Sequence, residues 1–276
     1  MLKKLIQHEW RETWKIPALV LTVSVILSVI CAIYFYFTPA PTPDVEVNVG
    51  KMSFFILYAF AIAITSLLIT IYLGIRFYKN LYTDEGYLMH TLPVRPWALV
   101  LSKTLISSLW IYLAGILALV TVFPVTFLAL PKMAYIEPAD LDELIRMMTS
   151  TLFGGRQLQM LFFFIPYSFA SAVSSILLVY AAISLGQLLG RHKVLSSIVC
   201  YLGLNALLST LSSIFLVPGI TGVVITHADD TENFYELVMP SLMKTTYISS
   251  FFVSLLLTAV CFFLCNYLLQ KCLNLD

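Results

Sequence analysis

The groups in this 276-residue chain that could carry chemistry are few and scattered. Hydrolysis by a serine nucleophile needs a base beside the hydroxyl. The four histidines, His8, His90, His192 and His227, all fall at the edges of apolar runs or between them. The five cysteines, Cys31, Cys200, Cys261, Cys265 and Cys272, lie in or beside apolar runs. They form neither metal-ligand spacing nor a secreted disulfide framework, and read as small apolar packing groups. No G-x-x-x-x-G-K-[ST] motif is present to cradle nucleotide phosphates. A formal net charge of +1 gives nucleic acid nothing to bind. The expectation is therefore no catalytic residue, no metal and no cofactor held by this chain, which is not an enzyme in its own right.

One polar stretch stands apart from this pattern. Arg76 to Lys103, RFYKNLYTDEGYLMHTLPVRPWALVLSK, separates two long apolar runs. Within it Phe77, Leu81, Tyr82, Leu88, Met89 and Leu92 recur near helical spacing, which predicts an amphipathic helix over 81–92. Asp84, Glu85 and His90 lie on its polar side, and Pro93 and Pro96 end it. A helix of that length measures about 18 Å. Short and anchored at both ends, it suits docking to another protein.

The elements that hold this stretch are membrane spans. Sixty per cent of the residues are hydrophobic and only 11% charged, outside the range of soluble globular domains. Six charge-poor runs each reach the roughly 20 residues needed to cross a hydrocarbon core as a helix. The predicted spans are 16–37, 52–75, 104–130, 160–188, 195–217 and 247–270, in one all-α transmembrane domain over 1–276. Lys and Arg fix the orientation. With the N-terminus inside, eleven of sixteen fall on inner segments: Lys3, Lys4, Arg11, Lys15, Arg76, Lys79, Arg95, Lys103, Arg191, Lys193 and Lys271. Both termini are expected inside. The first apolar run is too long for a cleavable signal peptide.

Smaller elements complete the plan. Leu2, Leu5, Ile6, Trp10 and Trp14 share one face, flanked by Lys3, Lys4, Arg11 and Lys15. An interfacial helix over 2–15 follows, with Trp10, Arg11 and Trp14 at the headgroups of membrane lipid. Leu141, Leu144, Ile145, Met148 and Leu152 predict an external amphipathic helix over 138–152, its first turn lined by acids. On the fourth span Ser171, Ser175, Ala182, Gly186 and Gly190 form a small-residue face, read as helix packing rather than a cargo path. Asn205, Ser209 and Ser212 on the fifth span suit either a polar path or interhelical hydrogen bonds. Pro218, Gly219 and Gly222 interrupt 214–226, so 214–239 is expected to be re-entrant or external.

No Asp, Glu, Lys, Arg or His falls in the middle of a predicted span. Proton-coupled transporters and voltage sensors place such groups there because those groups are the mechanism. With neither a coupling ion site nor a nucleotide site, transport by this chain would draw its energy from a separate ATPase through the 81–92 helix.

Those residues carry a resemblance. Asp84 to Lys103, DEGYLMHTLPVRPWALVLSK, resembles the loop after the second span of type-2 (type V fold) bacterial ABC exporter permeases, with Glu85, Gly86, Leu88, Leu92, Pro93, Val94 and Lys103 matching. The resemblance implies that 81–92 is the coupling helix, with Tyr82, Asp84, Glu85, Gly86, Tyr87, Leu88, Met89, Leu92 and Pro93 contacting the ATPase. It implies 2–15 as the connecting helix, ATP and Mg bound in the partner ATPase, and a second permease chain, identical or paralogous. It also implies a multi-pass protein of the bacterial cytoplasmic membrane. The cargo classes left open are antimicrobial peptides, lipids and drug-like compounds. The alternative is a non-transporting membrane sensor or scaffold whose inner loop docks another partner.

Overall fold

A computed structural model describes residues 2–39, 48–83, 96–133, 146, 155–189, 193–226 and 239–271, and among these the regular structure is helical throughout. In chain order the helices are α1 (Leu2–Thr13), α2 (Lys15–Phe37), α3 (Val49–Tyr82), α4 (Pro96–Met133), α5 (Gly155–Gly186), α6 (Lys193–Thr226) and α7 (Met239–Lys271). A single 3-10 turn, Gln187–Leu189, follows α5. Six of the helices, α2 to α7, are long and apolar enough to cross a membrane. The chain is a multi-pass membrane protein by that measure.

Several helix ends differ from the sequence reading, for local reasons. α1 and α2 meet at Trp14, which keeps helical angles (φ −62°, ψ −32°). Pro17 lacks the N–H that would bond Thr13, so the helix bends there while Trp14 still donates to the Trp10 carbonyl at 3.2 Å. α3 runs seven residues past the expected end of its span, to Tyr82. Leu81 and Tyr82, expected to open the 81–92 helix, are instead the last two residues of α3. Both α3 and α4 keep their apolar periodicity into the polar stretch, since Phe77, Leu81, Ala98, Leu99 and Val100 are all buried. α4 starts at Pro96, a residue suited to the first helical turn. The rest of the expected docking helix, Asp84 to Leu92, and Pro93 lie outside the described residues, as does the external helix over 138–152 except Arg146, which is exposed.

The segment over 214–239, expected to be re-entrant or external, is continuous helix as far as Thr226. α6 runs without a break from Lys193 to Thr226, through Pro218 and Gly222, so 214–226 does not turn back. A proline inside a long apolar helix removes one hydrogen bond, and apolar surroundings favour keeping the others. Residues 227–238 lie outside the described residues, and Met239 is the first residue of α7.

The chain divides into two compact units. One holds residues 10–72 and 110–154. Its core is Cys31 and Phe35 of α2, Tyr58 and Ile62 of α3, and Val125 and Ala129 of α4. Ser24, Ser28, Cys31 and Phe35 repeat at helical spacing and form the buried stripe of α2. Small side chains on that stripe let α3 approach, and the Tyr58 hydroxyl donates to Ser28 Oγ at 3.0 Å. At one end the unit is tied by two bonds to backbone carbonyls: Asn48 N to Met133 O at 2.8 Å, and Lys51 Nζ to Pro39 O at 2.7 Å.

The other unit holds residues 1–9, 73–109 and 155–276. Here α5 packs against α6 and α7, and α6 against α7. More than half of the α5 span is buried, including Ala170, Ala172, Ala181 and Ala182. Two glycines set the closest approaches. A methyl group on Gly74 would lie 3.1 Å from Val179, and one on Gly186 would lie 2.6 Å from the Ser197 backbone. Gly186 thus fixes how tightly α5 turns into α6.

Candidate functional site

The first turns of α4 are buried on almost every side. Ala98, Leu99, Val100, Ser102, Lys103, Thr104, Ile106, Ser107 and Ser108 are all inaccessible. The serines and threonine of this stretch largely satisfy themselves, Ser102 on Leu99 O at 2.9 Å and Thr104 on Val100 O at 2.8 Å. Lys103 cannot do so, because a buried ammonium is compensated best by a partner of opposite charge. It finds the Glu9 carboxylate of α1, with which it forms a buried ion pair through Oε1. The other carboxylate oxygen, Oε2, faces Arg76 Nη2 of α3 at 3.6 Å. The Lys103 and Glu9 side chains are only 4% and 7% exposed, and Arg76 is 16%. One carboxylate therefore holds three helices together where water is scarce.

One turn along α4 from Lys103, the Ser107 hydroxyl meets the Tyr180 hydroxyl of α5 at 2.7 Å. The Tyr180 ring is stacked on Phe77 of α3, centroids 3.8 Å apart and 9° from parallel. One turn further along α5, Ser184 donates to the Tyr180 carbonyl at 2.8 Å and accepts from the Tyr82 hydroxyl of α3 at 2.8 Å. The Cys265 sulfur of α7 lies 4.0 Å from the same Ser184 oxygen. Polar contacts thus run from α1 through α4 and α5 to the last turn of α3 and to α7.

Mechanical linkage is what this arrangement can do. Breaking a buried ion pair by removing one partner costs about 3–5 kcal/mol, and an aromatic stack adds roughly 0.5–1.5 kcal/mol. Helices joined this way move together rather than slide. Among the described residues no cluster of His, Cys, Asp or Glu could hold a metal ion.

The residues singled out from sequence are distributed unevenly around this centre. Tyr82 belongs to it. Asp84, Glu85, Gly86, Tyr87, Leu88, Met89, Leu92 and Pro93 lie outside the described residues. On α1, Trp10 is 39% exposed and stacks on Trp110 at 5.0 Å, while Arg11 and Trp14 are exposed. Of the small-residue face on α5, Gly186 is buried against Ser197, Ser171 is half-buried and Ser175 is exposed; Gly190 lies outside the described residues. On α6, Asn205 and Ser209 are exposed and Ser212 is half-buried, donating to Leu208 O at 2.7 Å.

Glu9, Ser107, Tyr180 and Ser184 were not singled out, and Arg76 and Lys103 were read only as the ends of the polar stretch, as inner charges and, for Lys103, as part of the resemblance. Glu9 carried a usable signal. It falls at i, i+3, i+4, i+7 with Leu2, Leu5 and Ile6, so α1 turns a carboxylate toward the same side as its leucines. A carboxylate on an apolar face needs a cation, and Arg76 and Lys103 stand at the ends of two neighbouring apolar runs.

No protein-family model, curated protein or solved structure matches this chain.

Proposed function

We propose that this chain is the membrane-spanning subunit of an ATP-driven ABC exporter of the bacterial cytoplasmic membrane. It forms half of a translocation path with a second permease chain and receives its energy from a separate ATPase subunit that binds ATP and Mg. The ATPase docks on the polar stretch between α3 and α4, with Leu88 and Leu92 as apolar anchors.

The observation that supports this reading is the Glu9 bridge. Arg76 and Lys103 flank the docking stretch on either side, and both are held by the same carboxylate of α1. A push on the stretch would reach α3 and α4 together, with α1 carried along. From there the Tyr82–Ser184 and Ser107–Tyr180 bonds pass the displacement to α5. Rigid-body rotation of packed helices is a common switching motion, and linked helix ends suit it. The cargo classes compatible with this reading are antimicrobial peptides, lipids and drug-like compounds.

Affinity purification of the tagged chain from its native membrane tests the proposal. The expected result is recovery of an ATPase carrying a phosphate-binding loop motif in equal amount, with hydrolysis stimulated when the complex is placed in lipid. Recovery of the intact chain without any such ATPase, under conditions that preserve other membrane complexes, overturns it.

A further inference from the structure

We propose that the unit of residues 10–72 and 110–154 carries, at the end where α3 begins, a binding site for a phosphate-type oxyanion, built on Lys51 and the first turn of α3. Lys51 is 8% exposed, yet its ammonium meets a single neutral acceptor, the Pro39 carbonyl at 2.7 Å. An ammonium has three N–H bonds, so two of them find no acceptor among the described residues. A buried charge is ordinarily paired or fully hydrogen-bonded. Lys103, equally buried, is held by the Glu9 carboxylate; Lys51 has no carboxylate among the described residues.

The first turn of α3 adds donors. Asn48 caps it: its carbonyl accepts from Met52 N at 3.1 Å and its side chain from Lys51 N at 3.2 Å, while its own N–H is fixed on Met133 O at 2.8 Å. The next two N–H groups, of Val49 and Gly50, make no hydrogen bond with the described residues, and both residues are exposed. Orphan N–H groups at a helix start point along the axis, and together with the helix dipole they favour an anion. A methyl group on Gly50 would meet nothing closer than Asn48 Oδ1 at 3.5 Å, so the approach is open.

Charge balance points the same way. α2 ends at Phe37 and α4 at Met133, each with about half a negative charge, and α3 begins with about half a positive one. Lys51 and the half-buried Lys132, next to Met133, add two full positive charges, neither with a carboxylate partner among the described residues. The excess is about one and a half positive charges. A phosphate group matches it in sign, and its several oxygens accept from a side chain and a backbone turn together. Lys51 stands directly before the apolar run that opens at Met52, which sets the site at headgroup level. Two sources share this chemistry, the phosphate of an anionic lipid and free phosphate. The inference rests on the spanning architecture and not on the exporter reading. Anion binding is measured without an ATPase, so either can fail while the other stands.

The test uses the full-length chain in detergent, with sodium phosphate titrated against sodium chloride at constant ionic strength. The wild type should show a saturable rise in melting temperature with phosphate. Lys51→Met should weaken the apparent affinity about ten-fold or more, and Lys51→Arg should restore most of it. Lys132→Met, at a half-buried position, should cost only about two- to five-fold. Val49→Pro is the independent variant. Proline suits a first helical position, and the N–H it removes has no partner among the described residues, so the fold should survive while phosphate affinity falls about ten-fold. Native mass spectrometry of chains extracted with phosphatidylglycerol separates the two sources. A lipid source gives one lipid retained by the wild type and lost from Lys51→Met; free phosphate gives equal lipid retention with the phosphate difference intact. Phosphate curves and lipid retention alike in wild type, Lys51→Met and Val49→Pro reduce Lys51 to a cap on the α2 end and overturn the proposal. So does a phosphate response that emerges only in Asp44→Asn/Glu46→Gln, which would make the acids between α2 and α3 the counter-charge.

Discussion

The Glu9 carboxylate and the Lys103 ammonium, 94 residues apart in the chain, meet as a buried ion pair, and Arg76 approaches the same carboxylate at 3.6 Å. One anion serving two cations makes the three positions unequal. Glu9→Gln breaks both pairs at once, whereas Lys103→Met leaves the Glu9–Arg76 pair in place. Loss of one partner from a buried pair costs about 3–5 kcal/mol. The expected order of thermal stability in detergent is wild type, then Lys103→Met, then Glu9→Gln. The double variant Glu9→Gln/Lys103→Met should be more stable than Glu9→Gln alone. Equal melting temperatures for all four would mean that the bridge carries no load.

Tyr180 ties α5 to two helices by separable contacts, a hydroxyl on Ser107 of α4 and a ring on Phe77 of α3. Tyr180→Phe removes only the first, and Ser107 can turn to a carbonyl of its own helix, so the loss should be roughly 0.5–1.5 kcal/mol. Tyr180→Ala removes both and leaves a cavity in a fully buried site, at roughly 3–5 kcal/mol by analogy with other aromatic deletions. Denaturant titration of the two variants should separate them clearly. A Phe variant as damaged as the Ala variant would assign the whole effect to the hydroxyl.

Gly186 offers a contrast within one chain. A methyl group there would sit 2.6 Å from the Ser197 backbone, but one on Gly115 would meet nothing within 4 Å. Replacing an exposed helical glycine by alanine stabilises by roughly 0.8–1 kcal/mol. Gly115→Ala should therefore raise the melting temperature slightly. Gly186→Ala must push α5 and α6 apart at their turn, and overpacking of this kind costs about 1–3 kcal/mol. Opposite signs for the two substitutions are the expected result.

How much of this was legible in sequence depends on the kind of signal. Length and apolarity identified the six spans, because a hydrocarbon core admits little else than helices of that size. Helix ends were less visible. α3 and α4 extend past their apolar runs because pairing keeps Arg76 half-buried and Lys103 buried, and hydropathy treats each as a stop. The Glu9 bridge depends on residues distant in sequence, and only the placement of a carboxylate on the leucine face of α1 pointed toward it. The break expected at Pro218 failed for the opposite reason: proline marks a weak point in a helix but does not force a turn inside an apolar run.

The final prediction concerns the stretch between α3 and α4, where Leu88 and Glu85 lie outside the described residues. Burying a leucine against a partner contributes on the order of 1.5–3 kcal/mol, whereas a solvated rim charge contributes roughly 0–1 kcal/mol. Leu88→Asp also brings an unpaired carboxylate into whatever groove receives the leucine, a second penalty of the same sign. It should abolish recovery of the ATPase, while Glu85→Gln should weaken it at most a few-fold. Both variants should reach the membrane at wild-type levels, since neither position belongs to a span. Expression and thermal stability measured alongside co-purification separate loss of docking from loss of folding. The Glu9 bridge sharpens the comparison. Glu9→Gln should leave ATPase recovery near wild type but reduce transport, because docking survives when the linkage from the docked stretch to α1 is cut. A Leu88→Asp chain that still recovers its ATPase and transports normally would make the stretch a simple connector.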